Sequence, residues 1–188
     1  MGIFDRAGLM KIHMLLAAFM LPVAFMFLLT GGLYTWDIKG DYHTTSFDLV
    51  LDQPLTADKA ALLELVTAEL KQRNIELPSG DAGIKRGGTS FLFAWTGTNL
   101  DVVLEPTSNP LLAKLEVKDT SWYRQFVQLH KAKGGTAFKV YAALLAVSLF
   151  TLLFSGFILA WQLPKYRKLT ATATGAGIAV FIAMVLAS

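Results

Sequence analysis

Three side chains in this sequence carry the chemistry to bind a metal or move a proton near neutral pH: His13, His43 and His130. Imidazole is the side chain whose unperturbed pKa lies in that range. The chain has no cysteine. Thiolate metal sites, cysteine nucleophiles, disulfides and c-type haem attachment are therefore excluded. His13 and His130 share a setting: each stands beside lysine (Lys11-x-His13, His130-Lys131) just ahead of a long uncharged run. An imidazole so placed either ligates a b-type haem through a neutral ring nitrogen or hydrogen-bonds at a membrane surface. His43 follows Asp41 and Tyr42, and one Asp-x-His pair is weak metal evidence. No Ser-His-Asp set can be assembled, and Gly87-Gly88 and Gly134-Gly135 are turn glycines without a phosphate-loop context. No catalytic residues are expected.

The elements that position these histidines are apolar. Met14–Trp36, Val140–Pro164 and Leu169–Ser188 contain no charged residue. As a helix, the second run would span ~37 Å at ~1.5 Å per residue, more than a ~30 Å hydrocarbon core. Composition agrees: of 188 residues, 54% are hydrophobic and 16% charged, so the water-exposed part is modest. We expect transmembrane helices at 13–36, 139–163 and 169–188, with a short N-terminal segment, 1–12, before the first. Pro22 predicts a kink in the first. No A-x-A site ends that run, only Thr30-Gly31-Gly32, so the reading is a retained helix and not a cleaved signal.

Residues 37–128 carry most of the charge. Phe47, Leu49 and Leu51 alternate on a strand over 44–51. Thr56 is positioned to cap a helix over 57–73, with Leu62, Val66 and Leu70 as its apolar stripe. Strands are expected over 89–96, 100–105 and 112–118, the first two joined as a hairpin through Gly97-Thr98-Asn99. The fold class is thus an α+β membrane protein. It has three transmembrane helices and a small strand–helix–three-strand antiparallel domain, 44–118, inserted between helices one and two. Residues 119–135 read as an amphipathic segment suited to the lipid interface, with Trp122, Phe126 and Leu129 near one face.

Loop charge sets the expected orientation. Arg6, Lys11, Lys165, Arg167 and Lys168 face one acid, Asp5, in the short flanks, whereas 37–139 holds 12 basic and 13 acidic residues. Short basic flanks stay inside. The N-terminus is expected in the cytoplasm and 37–139 in the periplasm of a bacterial inner membrane. Lys131, Lys133 and Lys139 run against this assignment. By this topology His13 and His130 stand about a membrane thickness apart, ~30 Å. They cannot then share one iron within one chain. A net charge of +3, clustered at helix ends, gives no footprint for nucleic acid.

Two weaker patterns remain. Ala171, Gly175, Ala179, Ala183 and Ala187 recur at every fourth residue, a spacing that lets helix backbones approach closely. The first helix ends Thr30-Gly31-x4-Trp36 and the second carries Ser155-Gly156-x4-Trp161, a short echo in helices of opposite direction.

Several stretches resemble the PepSY-associated transmembrane helix family. They are Leu129-His130-Lys131-x-Lys133-Gly134-Gly135, Phe138-Lys139, Leu153 to Trp161, and Pro164-Lys165-Tyr166-Arg167-Lys168. Lys11-x-His13 and Leu29-Thr30-Gly31 are similar to that family's opening helix, and the strand–helix–three-strand segment resembles a PepSY domain. The resemblance implies a periplasmic domain of a kind associated with inhibiting or chaperoning peptidases, on inner-membrane helices that join other subunits or a second copy. Some larger members look like haem-containing reductases of siderophore-bound iron, with four helices and longer outer domains. This chain has three helices and one domain, so the expectation is a non-catalytic accessory subunit. The alternative is a b-haem electron-transfer subunit using His13 and His130. No cofactor other than haem b is implied.

Overall fold

In the computed structural model, residues 5–87 and 90–188 are described. Residues 1–4 of the N-terminal segment, Gly88 of the Gly87-Gly88 pair, and Thr89 at the start of an expected strand lie outside them. The order is α1 (Arg6–Thr35), β1 (Tyr42–Val50), α2 (Lys59–Gln72), β2 (Ala82–Gly87), β3 (Ser90–Trp95), β4 (Leu100–Pro106), β5 (Leu112–Thr120), α3 (Trp122–His130), α4 (Thr136–Trp161) and α5 (Pro164–Ala187). Three of these helices, α1, α4 and α5, are long and apolar enough to cross a membrane. The chain divides into two compact units, residues 1–24 with 143–188, and residues 25–142.

The second unit holds one antiparallel sheet in the order β1-β5-β4-β3-β2. The expected strand–helix–three-strand pattern is corrected to strand–helix–four strands. The added strand is β2, Ala-Gly-Ile-Lys-Arg-Gly, an edge strand whose only sizeable apolar side chain is Ile84. It gives no alternating signal because one edge strand needs little core contact. The hairpin at 97–99 is present, with Trp95 opposite Val102.

Alternation along β4 and β5 sorts the two faces. Val102, Leu104, Ala113, Leu115 and Val117 point to one face with Phe93 and Leu49, and pack with Leu62, Val66 and Leu70 of α2. Each fully buried large side chain contributes about 1.5–3 kcal/mol. Asp58, not Thr56, caps α2: its carboxylate accepts from the Ala60 N–H at 2.9 Å. The opposite face carries Lys114, Glu116 and Lys118, with both lysines 2.8 Å from Glu116. Together they hold the Glu116 carboxyl down at about 2.

The segment expected at the lipid interface packs on the sheet. Helix α3 buries Val127 and Gln128 and packs beside β5, while Trp122 (74% exposed) and Phe126 face outward, edge to face at 6.3 Å. The sheet thus has α2 on one face and α3 at one end of the other.

Helices α1, α2 and α3 end alike. At each, the residue after the cap is left-handed and not glycine: Asp37 (φ 64°), Asn74 (φ 55°) and Ala132 (φ 56°). The next N–H reaches back five residues: Ile38 to Leu33, Ile75 to Leu70, and Lys133 to Gln128, at 2.9–3.0 Å. This closure satisfies orphan carbonyls and turns the chain sharply.

Candidate functional site: two histidine stations and a buried carboxylate

His130 is the last residue of α3, separated from α4 by a five-residue turn, 131–135, rather than standing on the membrane helix itself. Its Nδ1 lies 2.8 Å from the hydroxyl of Thr30 near the end of α1. Thr30 is buried, and its hydroxyl also lies 2.7 Å from the Met26 carbonyl. A carbonyl only accepts, so the single Thr30 proton goes to Met26 and the oxygen accepts from His130 Nδ1–H. The neutral ring therefore carries its proton on Nδ1 and presents Nε2 as a bare lone pair. Gly31 makes the seat possible: a Cβ there would meet His130 Cε1 at 3.1 Å. Phe27 covers the ring at 4.7 Å between centroids.

In the other unit, His13 of α1 repeats this arrangement. Its Nδ1 lies 2.8 Å from the Ser155 hydroxyl of α4. Ser155 is buried and donates to the Leu152 carbonyl at 3.2 Å. With its proton on that carbonyl, the Ser155 oxygen accepts from His13 Nδ1–H, although the carbonyl contact is longer here than at Thr30. A Cβ on Gly156 would lie 3.5 Å from His13 Cε1. The Thr30-Gly31 and Ser155-Gly156 echo thus has a physical meaning: each hydroxyl–glycine pair is the seat of a histidine from a distant part of the chain. Each histidine is paired with a hydroxyl and not with a second histidine.

His43 lies on β1 opposite Asp119. Among the described residues no group of three or more His, Asp or Glu is placed to hold a metal ion. The five small residues of α5, Ala171, Gly175, Ala179, Ala183 and Ala187, fall on a helix with no buried residue.

Asp101 is unlike a surface acid: it is 6% exposed, on β4, next to the hairpin turn. One carboxylate oxygen accepts from the Tyr42 hydroxyl (2.7 Å), Gln128 Nε2 (2.9 Å) and Lys133 Nζ (2.9 Å). The other accepts from the Gly97 N–H at 3.1 Å. Burial alone would raise this carboxyl, but the bonds from Lys133 and Tyr42 and the Lys133 charge outweigh it and hold it below the ordinary value. Tyr42 moves up, through burial and its bond to Asp101. Arg124 adds a bond to the Tyr42 hydroxyl at 3.0 Å and lies 4.4 Å above its ring. A donor-rich cage around one buried carboxylate is a structural latch: it fastens α3, and so His130, to the sheet. A single acid inside the apolar run Leu100–Leu104 was its only trace in the sequence.

No family model matches the chain, and no curated protein or solved structure matches it either.

Proposed function

We propose that this chain is a non-catalytic accessory or regulatory protein of a bacterial inner membrane. Its PepSY-like sheet domain, set between the first two membrane helices on the periplasmic side, binds a protein partner, and its helices join a larger membrane complex. The observation that carries this reading is α5. It is a 24-residue apolar helix with no buried residue, and its Ala and Gly stripe offers backbone to a neighbour at every fourth position. Small residues at that spacing favour close helix packing in lipid. The latch around Asp101 supports it too, because it ties the sheet to the ends of the helices. The test is mild-detergent purification with cross-linking. A co-purifying membrane protein is expected, lost when Ala179→Leu and Ala183→Leu fill the stripe. A chain that runs alone refutes the reading.

A second reading is favoured by the proton accounting at the two stations. A b-haem subunit for ferric-siderophore reduction would use His13 and His130, whose hydroxyl-bonded Nδ1 leaves Nε2 for iron, the usual outer-shell arrangement of a ligating imidazole. Haem would supply one-electron transfer there. Each station offers one imidazole, so any further ligand would come from a partner or a second copy. A Soret band lost in His13→Ala or His130→Ala supports this reading, and its absence in protein from haem-replete cells removes it.

A further inference from the structure

A cleft of about 290 Å³ opens beside His130, lined by Thr30, Gly31, Tyr34, Val127, His130 and Lys131. It lies between α1 and α3, and its walls are mostly apolar. Two polar atoms give it a chemical preference. The first is His130 Nε2, left as an acceptor by the Thr30 bond. An acceptor in an apolar cleft calls for a hydroxyl or N–H donor.

The second is the Lys131 ammonium. Four lysines lie near the chain's passage between sheet and helices, and three have an acid. Lys39 pairs with Asp37, Lys133 with Asp101 at 2.9 Å, and Lys139 with Asp81 at 2.5 Å. Lys131 pairs with no acid among the described residues; its ammonium lies 5.6 Å from the centre of the Tyr34 ring. The cleft therefore asks for an anion at Lys131 and a donor at His130.

Its place on the chain narrows the ligand further. Tyr34 lies in the last turn of a helix long and apolar enough to cross the bilayer, and Trp36 stands just past its end, where amphipathic rings settle at headgroup level. The volume is at the small end of ligand pockets, ~300–1,000 Å³. It suits a headgroup.

We propose that this cleft binds the headgroup of an anionic phospholipid, with its phosphate on Lys131 and a headgroup hydroxyl donating to His130 Nε2. Phosphatidylglycerol has both groups, whereas phosphatidylcholine has no hydroxyl donor and no net charge. The site does not depend on the accessory-subunit reading. It competes with haem for one atom, His130 Nε2.

The test is lipid titration of the delipidated full chain, followed by native mass spectrometry. Phosphatidylglycerol is expected to bind about fivefold more tightly than phosphatidylcholine, the scale of one basic side chain at a charged lipid surface. Lys131→Gln should abolish the preference and Lys131→Arg should keep it. Gly31→Leu should weaken binding by filling the cleft with the charge intact. In ¹⁵N spectra of labelled histidine, phosphatidylglycerol should move the Nε2 signal of His130. Equal affinity for the two lipids overturns the proposal, as does an undiminished preference in Lys131→Gln. Inorganic phosphate that moves the same signal and displaces the lipid at equal concentration would make the site one for free anions, and would also overturn it. Lys131 has no ion pair to lose, so the Lys131→Gln chain should melt as the parent does.

Discussion

Replacing Asp101 with asparagine tests the latch directly. The change keeps shape and removes one acceptor and one charge. Three donors meet one oxygen, so the amide oxygen belongs there, and its NH₂ then faces the Gly97 N–H at the 3.1 Å contact. Two donors face each other, and a buried N–H is orphaned at about 1–3 kcal/mol. Lys133 loses its counter-charge as well. Its side chain is 23% exposed, so water recovers part of that loss. The sum is about 2–4 kcal/mol, below the ~3–5 of a fully buried broken pair. For a chain of this size that lowers the melting temperature by roughly 4–16 °C. The assay is thermal unfolding of the whole chain in detergent, followed by tryptophan fluorescence. Glu116→Gln is the comparison, because its lysine partners keep 44% and 30% of their side chains exposed and its loss should stay at or below ~1 kcal/mol. The pH dependence has a definite sign. The Asp101 carboxyl is held below its ordinary value of 3.8, so its stabilisation is present above that pH and lost as pH falls through the depressed value. For Glu116 the window runs from 4.5 down to about 2. Asp101→Asn should therefore flatten part of the acid-side loss. If it melts no lower than Glu116→Gln, the latch carries no special weight and the reasoning fails.

Other changes read other parts of the fold. Thr30→Val keeps the seat's shape but leaves His130 Nδ1–H without an acceptor. It should cost about 0.5–1.5 kcal/mol and shift the proton toward Nε2, visible in histidine ¹⁵N spectra. Ala132→Gly should stabilise by about 1 kcal/mol, because Ala132 holds a left-handed φ of 56° that glycine adopts freely; chemical unfolding would show it. Leu70→Ala should cost about 2–5 kcal/mol by opening a cavity between α2 and the sheet, read as a matching fall in unfolding midpoint.

The apolar spans and the α2 stripe were legible in the sequence because their signal is periodic and local. Leu62, Val66 and Leu70 are the buried residues of α2 as expected. Strand β2 was not legible, because an edge strand of glycines and basic residues has no period to detect. The seats of His13 and His130 were half legible. Thr30-Gly31 and Ser155-Gly156 stood out as an echo, but a pairing across 100 or more residues leaves no local mark. The Asp101 cage was hidden for the same reason. Its members come from β1, β4, α3 and the following turn, and each looks like an ordinary surface residue in its own neighbourhood.

The pairing of β1 with β5 has a mechanical consequence. Tyr42 lies opposite Thr120, so the chain joins and leaves the sheet at one corner. A force drawing α1 away from α3 would open that ladder like a zipper, pair after pair from the corner, instead of loading all nine pairs in shear. The corner is riveted. Ser121 N–H donates to the Asp41 carbonyl at 3.1 Å, Asp41 N–H to the Ser121 hydroxyl at 3.2 Å, and Arg124 Nη1 to the Lys39 carbonyl at 3.2 Å. Tension between the helices therefore concentrates on these few bonds, and the strength of the whole domain under load is the strength of its mouth.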